Sequence, residues 1–368
     1  MSATSPQNFA FDAYKTGYAF AQENQWVKAL KPFAKAFQHD PVNARYALFL
    51  GGALWQTDQK NAAIQLWSLA ADKDPAIRIA QYQPQADILT RQVSNLADTQ
   101  IRQFLTELQQ EAVQSSTDPG RVESAIWPQT HFGPVSYPEA GPKPYMFYVP
   151  DLPPVPIFER STAPWTQSLE AASETIANEY LALSGGDNGA APYVRSGSAL
   201  GPEWNKLKGQ DDWHSIHLYQ NGIPQPAAER CPQTCKALEN VPLVFHNGHP
   251  MEVFFSVLKP NTHIPPHFGL ANSRVTVHLP LVIPDSCAIR VGSLEHAWTP
   301  GETLIFDDSF NHEAWNRSNE TRVVLIFEAW RPDMTQGEIK AVERSFANRD
   351  AWLSGRCVPD LAALIDAT

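Results

Sequence analysis

Residues 274–283 read RVTVHLPLVI. Val275, Val277, Leu279 and Leu281 fall on one side of an extended chain, and Arg274, Thr276 and His278 on the other, because successive strand side chains point to opposite faces. The apolar face can enter a core. Polar residues repeated on the other face must meet water or line a wet pocket. Further β-branched and aromatic runs stand at 251–257, 287–291, 303–306, 312–316 and 322–329, separated by Pro, Gly and Asn. In the last, Arg322, Val324, Ile326 and Glu328 share a face, with Val323, Leu325 and Phe327 opposite. Short strands at this spacing predict a sandwich or barrel. A double-stranded β-helix, or jelly roll, satisfies the pattern and leaves a cavity between its sheets. This domain is expected over residues 167–368.

Upstream, eleven prolines fall between 117 and 166. Proline excludes regular helix and central strand, so this stretch reads as an extended connector. Its Tyr145, Phe147, Tyr148 and Phe158 suggest that it is laid against a surface. A helix is expected at about 165–184, with Leu169, Ile176 and Tyr180 inward.

The first 116 residues repeat themselves. Asp40-Pro41 recurs as Asp74-Pro75, a period of 34 residues, and at the same offset Gly17 matches Gly51, Phe33 matches Trp67 and Ala36 matches Ala70. Each Asp-Pro stops a helix, because the residue before proline leaves the α region. Two tetratricopeptide-like repeats are expected over 10–43 and 44–77. A capping helix within 84–114 carries Ile88, Leu89, Val93, Leu96, Ile101, Leu105 and Leu108 at helical spacing. The repeats read equally as a groove for a protein partner or as a scaffold. The predicted class is therefore α+β in two domains, an all-α repeat followed by a jelly roll.

Composition narrows the function. Of 368 residues, 43% are hydrophobic and 18% charged, which is globular. A net charge of −11 without a basic block argues against a nucleic-acid partner. Neither a signal peptide nor an apolar run of membrane-spanning length is visible, so a cytoplasmic location is expected. Cys231 and Cys235 are read as reduced thiols rather than a disulfide or metal pair.

Of eleven histidines, His263, His267, His278, His296 and His312 fall within 50 residues. Imidazole suits iron, zinc and copper, and a 2-His-1-carboxylate iron site shows His-X-Asp or His-X-Glu with a distant histidine. Here the segment is His267-Phe268-Gly269, without the acid. Spacing alone leaves a metal site open rather than assigned.

Four segments resemble the aspartyl/asparaginyl β-hydroxylase family: FYVPDLPPVPIFERSTAPW at 147–165, HIPPHFGLANSRVTVHLPLVIP at 263–284, GETLIFDDSFNHEAWN at 301–316 and TRVVLIFEAWRP at 321–332. That family has two histidine ligands and a glycine where the carboxylate normally sits, as in His267-Phe268-Gly269. The resemblance implies Fe(II) held by His267 and His312, with 2-oxoglutarate and O2 as co-substrates. It implies hydroxylation of an unactivated carbon in a peptide or small molecule, with an Asp- or Asn-type side chain as one candidate, and release of succinate and CO2. It also implies that Arg322 pairs with the distal carboxylate of 2-oxoglutarate, aided by Ser256, and that His278 and Trp213 line the same pocket. A mammalian member has arginine where Thr276 stands, and Arg274, on the same strand face, is a candidate to compensate. Asp307 and Asp308 read as turn residues, or Asp308 as the holder of an iron-bound water. Two other readings stand beside the oxygenase: a cupin-like metal protein of another reaction class, and a non-catalytic partner-binding protein built on the repeats.

Overall fold

The computed structural model describes residues 6–183 and 189–366. The end of the helix expected at about 165–184, residue 184, lies outside them. The chain divides into two compact units: Met1–Ser115 with Thr130–Pro134 and Glu343–Thr368, and Ser116–Gln129 with Val135–Val342.

The first unit is helical. Helices α1 (Pro6–Gln22) and α2 (Trp26–His39) form one pair, α3 (Ala44–Gln56) and α4 (Lys60–Lys73) the next. Asp40 and Asp74 stand just past α2 and α4, each donating its N–H to the carbonyl four residues back. The repeat has a packing reason. A Cβ at Gly17 would lie 2.7 Å from the Phe33 ring, and one at Gly51 would run into the Trp67 indole. Each glycine thus admits the large ring of its own pair. After the short α5 (Ala76–Ile79), the 27-residue α6 (Ile88–Gln114) is the expected cap. Asp87 starts it by accepting the Thr90 N–H at 2.8 Å. The same carboxylate accepts from Tyr18 of α1 at 2.6 Å and from Arg45 of α3 at 3.1 Å. Val93 packs against Gly52 of α3. The cap is therefore tied to the first helix of each pair.

The second unit is built on antiparallel sheet. In chain order the strands are β1 (Ile157–Phe158), β2 (Ala191–Pro192), β3 (Trp213–Gln220), β4 (Ile223–Pro224), β5 (Phe245–His246), β6 (His249–Pro250), β7 (Glu252–Leu258), β8 (Thr262–His267), β9 (Arg274–Val282), β10 (Cys287–Val291), β11 (Leu294–Ala297), β12 (Leu304–Phe306), β13 (His312–Asn316) and β14 (Arg322–Trp330). The larger sheet runs β1-β12-β9-β14-β7-β3-β2 and the smaller β11-β10-β13-β8. From β7 to β14 the chain passes back and forth between the sheets, which is jelly-roll topology.

The alternation in 274–283 sorts as its pattern predicts. Val275, Val277 and Leu279 join Val323, Leu325 and Phe327 in one buried cluster with Leu169, Ile176 and Tyr180 of the flanking helices. His278, Thr276, Arg322 and Glu328 face the other way, into the space between the sheets.

Eight of the described strands, β1–β6, β8 and β11, lie outside the expected runs, and three of them shape the two main sheets. β8 contains Pro265 and Pro266, which argue against a strand interior. It lies at the edge of the smaller sheet, where a missing N–H is tolerated. β11 is a short hairpin return from β10, turned at Gly292 with φ 60°. β3 extends the larger sheet beyond the jelly roll. The helix expected near 165–184 is two, α7 (Thr166–Ala171) and α8 (Ser173–Leu183).

The expected domain limits also shift. The proline-rich 117–166 is no separate connector. Apart from 130–134 it belongs to the second unit, with Phe147, Tyr148, Val149, Leu152 and Phe158 buried. Residues beyond 342 belong to the first unit, not to the β domain as expected. There Trp352 packs on Phe104 at 5.0 Å and Gln109 donates to Ser345 at 3.0 Å.

Candidate active site

A cavity of about 960 Å³ lies between the sheets. His267 ends β8 and His312 begins β13, and the two stand directly opposite each other in the ladder. Their ring centroids are 4.0 Å apart. His267 Nδ1 donates to the Pro265 carbonyl at 2.7 Å, and His312 Nδ1 to the Phe310 carbonyl at 3.0 Å. A carbonyl can only accept, so each Nδ1 carries the proton and each Nε2 keeps its lone pair. Burial holds both rings neutral. It pushes His267 down to about 3, with His312 adding to the effect, and His312 down to about 4. Two neutral imidazoles side by side are a donor set for iron, zinc or copper. Among the described residues no group of three or more His, Cys, Asp or Glu side chains gathers to hold a metal.

Gly269 has a steric reason. A Cβ there would run into the Asp308 carboxylate. The Gly269 N–H donates to the Asp308 carbonyl at 2.7 Å. The space that an acid at position 269 would take is thus filled from the other side by Asp308. Burial pushes Asp308 up to about 6, opposed by Arg274 and by a hydrogen bond with Thr276. Asp308 lines the cavity, whereas its neighbour Asp307 does not. Asp307 accepts from the Ser309 N–H at 3.0 Å and pairs with the fully buried Arg331 at 3.1 Å. The two acids therefore part company: Asp307 builds the turn into β13, and Asp308 faces the site.

Across the cavity stands Arg322, 1% exposed. Its Nη1 donates to the Ser256 carbonyl at 3.3 Å and to Ser256 Oγ at 3.2 Å. Ser256 Oγ also accepts from Trp213 Nε1 at 3.0 Å. Arg322 Nε has no partner, and burial pushes the guanidinium down to about 10. Among the described residues no carboxylate pairs with this buried cation. His278 shares the wall; burial first, then Arg322, holds its ring neutral, and its Nδ1 also lacks a partner. The structure thus brings together His267, His312, Asp308, Thr276, His278, Arg322, Ser256 and Trp213 around one cavity.

Arg274 is the exception. It does not line the cavity. Its Nη1 lies 3.2 Å from Glu328 Oε2, a carboxylate that burial pushes up to about 7. Arg274 thus bears on the cavity through two acids that line it, Glu328 by this ion pair and Asp308 by its charge.

Several site residues had no signal in the sequence. Trp204 sets its ring edge-on to His267 at 5.2 Å, and Tyr193 stacks on Trp213 at 4.0 Å. Trp298 lies under the Arg322 guanidinium at 5.1 Å and beside His278 at 5.7 Å. Tyr193 and Trp204 lie between β2 and β3, and Trp298 sits in the turn before β12, where no periodicity marks them. Glu328 was legible as facing with Arg322, but its partner was not.

Residues 170–332 match the family model described as Aspartyl/Asparaginyl beta-hydroxylase. The chain is 31% identical over 212 residues to aspartate beta-hydroxylase domain-containing protein 2 of Xenopus tropicalis, covering 56% of this chain and 55% of that protein. It is 35% identical over 153 residues to aspartyl/asparaginyl beta-hydroxylase of Homo sapiens, covering 40% of this chain and 20% of that protein. It is 28% identical over 181 residues to ornithine lipid ester-linked acyl 2-hydroxylase of Rhizobium tropici, covering 48% and 61%. The chain spans less than two thirds of each of these relatives.

Proposed function

We propose, from the match of residues 170–332 to the aspartyl/asparaginyl β-hydroxylase family model, that this chain is an Fe(II)- and 2-oxoglutarate-dependent dioxygenase hydroxylating an unactivated carbon. The observation that carries the reading is Arg322, a buried cation that has no counter-ion among the described residues and shares a cavity with two neutral histidines. A buried charge is retained at such cost only where something pairs with it. A cupin-like metal protein of another class has no need of it.

The residues fit an iron ion and a 2-oxoglutarate. His267 and His312 offer lone pairs from Nε2 and would hold the metal. Arg322 offers a planar fork to a carboxylate. Ser256, pinned by Trp213, orients that fork, and His278 offers a further polar contact. When bound, iron with 2-oxoglutarate and O2 supplies the oxidising step, with succinate and CO2 as the other products. The protein's share is position and exclusion of water. Asp308, beside Gly269, can accept a hydrogen bond from a water near the histidine pair. Thr276 and Glu328 line the cavity next to it and so face the substrate.

The substrate is proposed as a peptide or small molecule. The relatives' names span aspartyl and asparaginyl side chains and a lipid acyl chain, and Thr276 removes one cation that an acidic side chain would use. The helical repeats are proposed as a surface for a protein partner. Among the described residues no helix is long and apolar enough to cross a membrane. A cytoplasmic location is proposed, in keeping with four free cysteines.

Anaerobic Fe(II) with 2-oxoglutarate is expected to give a visible charge-transfer band, and succinate is expected once O2 is admitted. Absence of both sinks the proposal.

A further inference from the structure

The cavity changes character along its length. On β7 the residues that line it are Ser256, Phe254 and Glu252, and on β14 they include Arg322, Ile326 and Glu328, as the two-residue period of a strand dictates. Arg322 and Ser256 stand at one end and the two glutamates at the other. The six-residue step from Arg322 to Glu328 along β14 is about 20 Å, more than one 2-oxoglutarate can span. The acidic end is therefore left for another molecule.

Glu252 and Glu328 each stand one residue past the Val253–Phe327 pair of the β7–β14 ladder, and so come side by side. Like charges so placed destabilise a sheet. Asp308 reaches the same space from the turn before β13. The charges that act on Glu328 are Arg274, Asp308 and Glu252, and the three carboxylates act together on the Tyr193 hydroxyl. The cations nearby leave this charge unbalanced. Arg274 Nη1 is 3.2 Å from Glu328 Oε2 but lies outside the cavity lining. That oxygen is sealed from solvent and accepts no hydrogen bond. Glu252 accepts the Asn221 N–H at 3.0 Å and has His217 Nε2 at 3.5 Å. Arg195 and Arg230 belong to the exposed rim. The rings of Tyr193 and Phe254, 5.4 Å apart, complete the wall, and aromatic faces attract cations.

We infer that this end of the cavity binds a cation: the substrate carries an amine or guanidinium, held by Glu252 and Glu328 against the Tyr193 and Phe254 rings. An aspartate side chain placed there would meet three acids. That the bound cation is the substrate rests on the proposed function; the charge preference of the cavity does not.

The test uses the full chain and calorimetry, with Mn(II) and 2-oxoglutarate and again without either. The probes are the N-acetyl amides of lysine, arginine, norleucine and aspartate, and free L-lysine. The lysine or the arginine amide is expected to bind at least about tenfold tighter than the uncharged norleucine amide, as one charge-assisted hydrogen bond would give. Glu252→Gln and Glu328→Gln are each expected to close most of that gap. If Glu328→Gln fails to fold because Arg274 loses its partner, Glu252→Gln decides alone. Free lysine against the blocked amide separates a small amine from a basic side chain in a peptide; either order supports a cation site and fixes its source. Norleucine bound as well as the cations, aspartate bound better, no cation bound at about 10 mM, or a gap that Glu252→Gln leaves intact overturns the inference. Failure to bind 2-oxoglutarate sinks the proposed function instead, while the titrations without metal and co-substrate still decide the charge preference.

Discussion

Replacing Arg322 with Met should make the free protein more stable and leave it blind to 2-oxoglutarate. Burial lowers the guanidinium from 12.5 to about 10, which corresponds to about 3 kcal/mol of unfavourable charging. The group is charged at pH 7 in both folded and unfolded chains. The folded value is the lower one, so the penalty is present below about 10 and is relieved only as pH rises through it. Met fills similar space without charge. It forfeits two hydrogen bonds to Ser256 and the contact with Trp298, together about 2 kcal/mol. The balance is about 1 kcal/mol in favour of the variant, or about 2–4 °C in Tm for a domain of this size. The ligand reverses the order. At a hundred times its Kd, 2-oxoglutarate stabilises the unmodified protein by about 2.7 kcal/mol. Thermal unfolding is followed by tryptophan fluorescence with and without 2-oxoglutarate and Mn(II). The variant is expected to melt higher than the unmodified protein alone and lower than it with ligand. A variant that melts several degrees lower without ligand, or that is stabilised equally by 2-oxoglutarate, refutes the reasoning.

Three further outcomes are expected. His312→Ala should retain no stoichiometric Fe(II) after desalting and should form succinate only at background rate; metal analysis and turnover check both, and full activity would remove His312 as a ligand. Gly269→Ala should cost about 1–3 kcal/mol by crowding the Asp308 carboxylate. Adding Asp308→Ala should recover most of that, so melting curves that show no recovery would mean the crowding is elsewhere. Glu338 sits at the start of helix Gln336–Gly355, where it accepts from the Thr335 N–H at 2.9 Å while Thr335 Oγ1 accepts its own N–H at 3.2 Å. Hydrogen bonding from Arg121 holds its carboxyl down to about 2. The stability this gives is whole above the ordinary value of 4.5 and is lost as pH falls toward 2. Glu338→Gln should therefore cost about 2–3 kcal/mol at neutral pH, and the gap to the unmodified protein should close in denaturation curves taken through that acid window.

How much of this was legible depended on whether a feature is local. The alternation in RVTVHLPLVI was enough to sort core from cavity, because a strand's period is two wherever the strand lies. The 34-residue repeat was legible for the same reason: Gly17 and Phe33 meet within one helix pair, and so do Gly51 and Trp67. β8 was hidden because its prolines are tolerated only at a sheet edge, and edge position belongs to the whole sheet. The Arg274–Glu328 pairing joins strands 54 residues apart, so composition gave no hint that Arg274 was already engaged. The division at 342 had no marker either, since it depends on what Trp352 packs against. At the site, spacing left the histidines unassigned. The resemblance nominated His267 and His312, and the ladder brings them face to face.

Under the proposed function, that face-to-face placement bears on when an ion can be loaded and how it can be lost. His267 and His312 are 45 residues apart in the chain and meet only where β8 docks on β13, through a register shift between His312 and Ala314. In any register one residue off, one imidazole would turn to the opposite side of the sheet. A nascent chain, or one with a slipped edge strand, therefore has no seat for a metal. Retention of the ion becomes a check that the edge strand was laid correctly. The same seam works in reverse, because an edge strand can open without unfolding the sheet behind it. Metal release then follows the fraying of a few residues at Thr262–His267, and anything that clamps that strand shut lengthens the ion's residence.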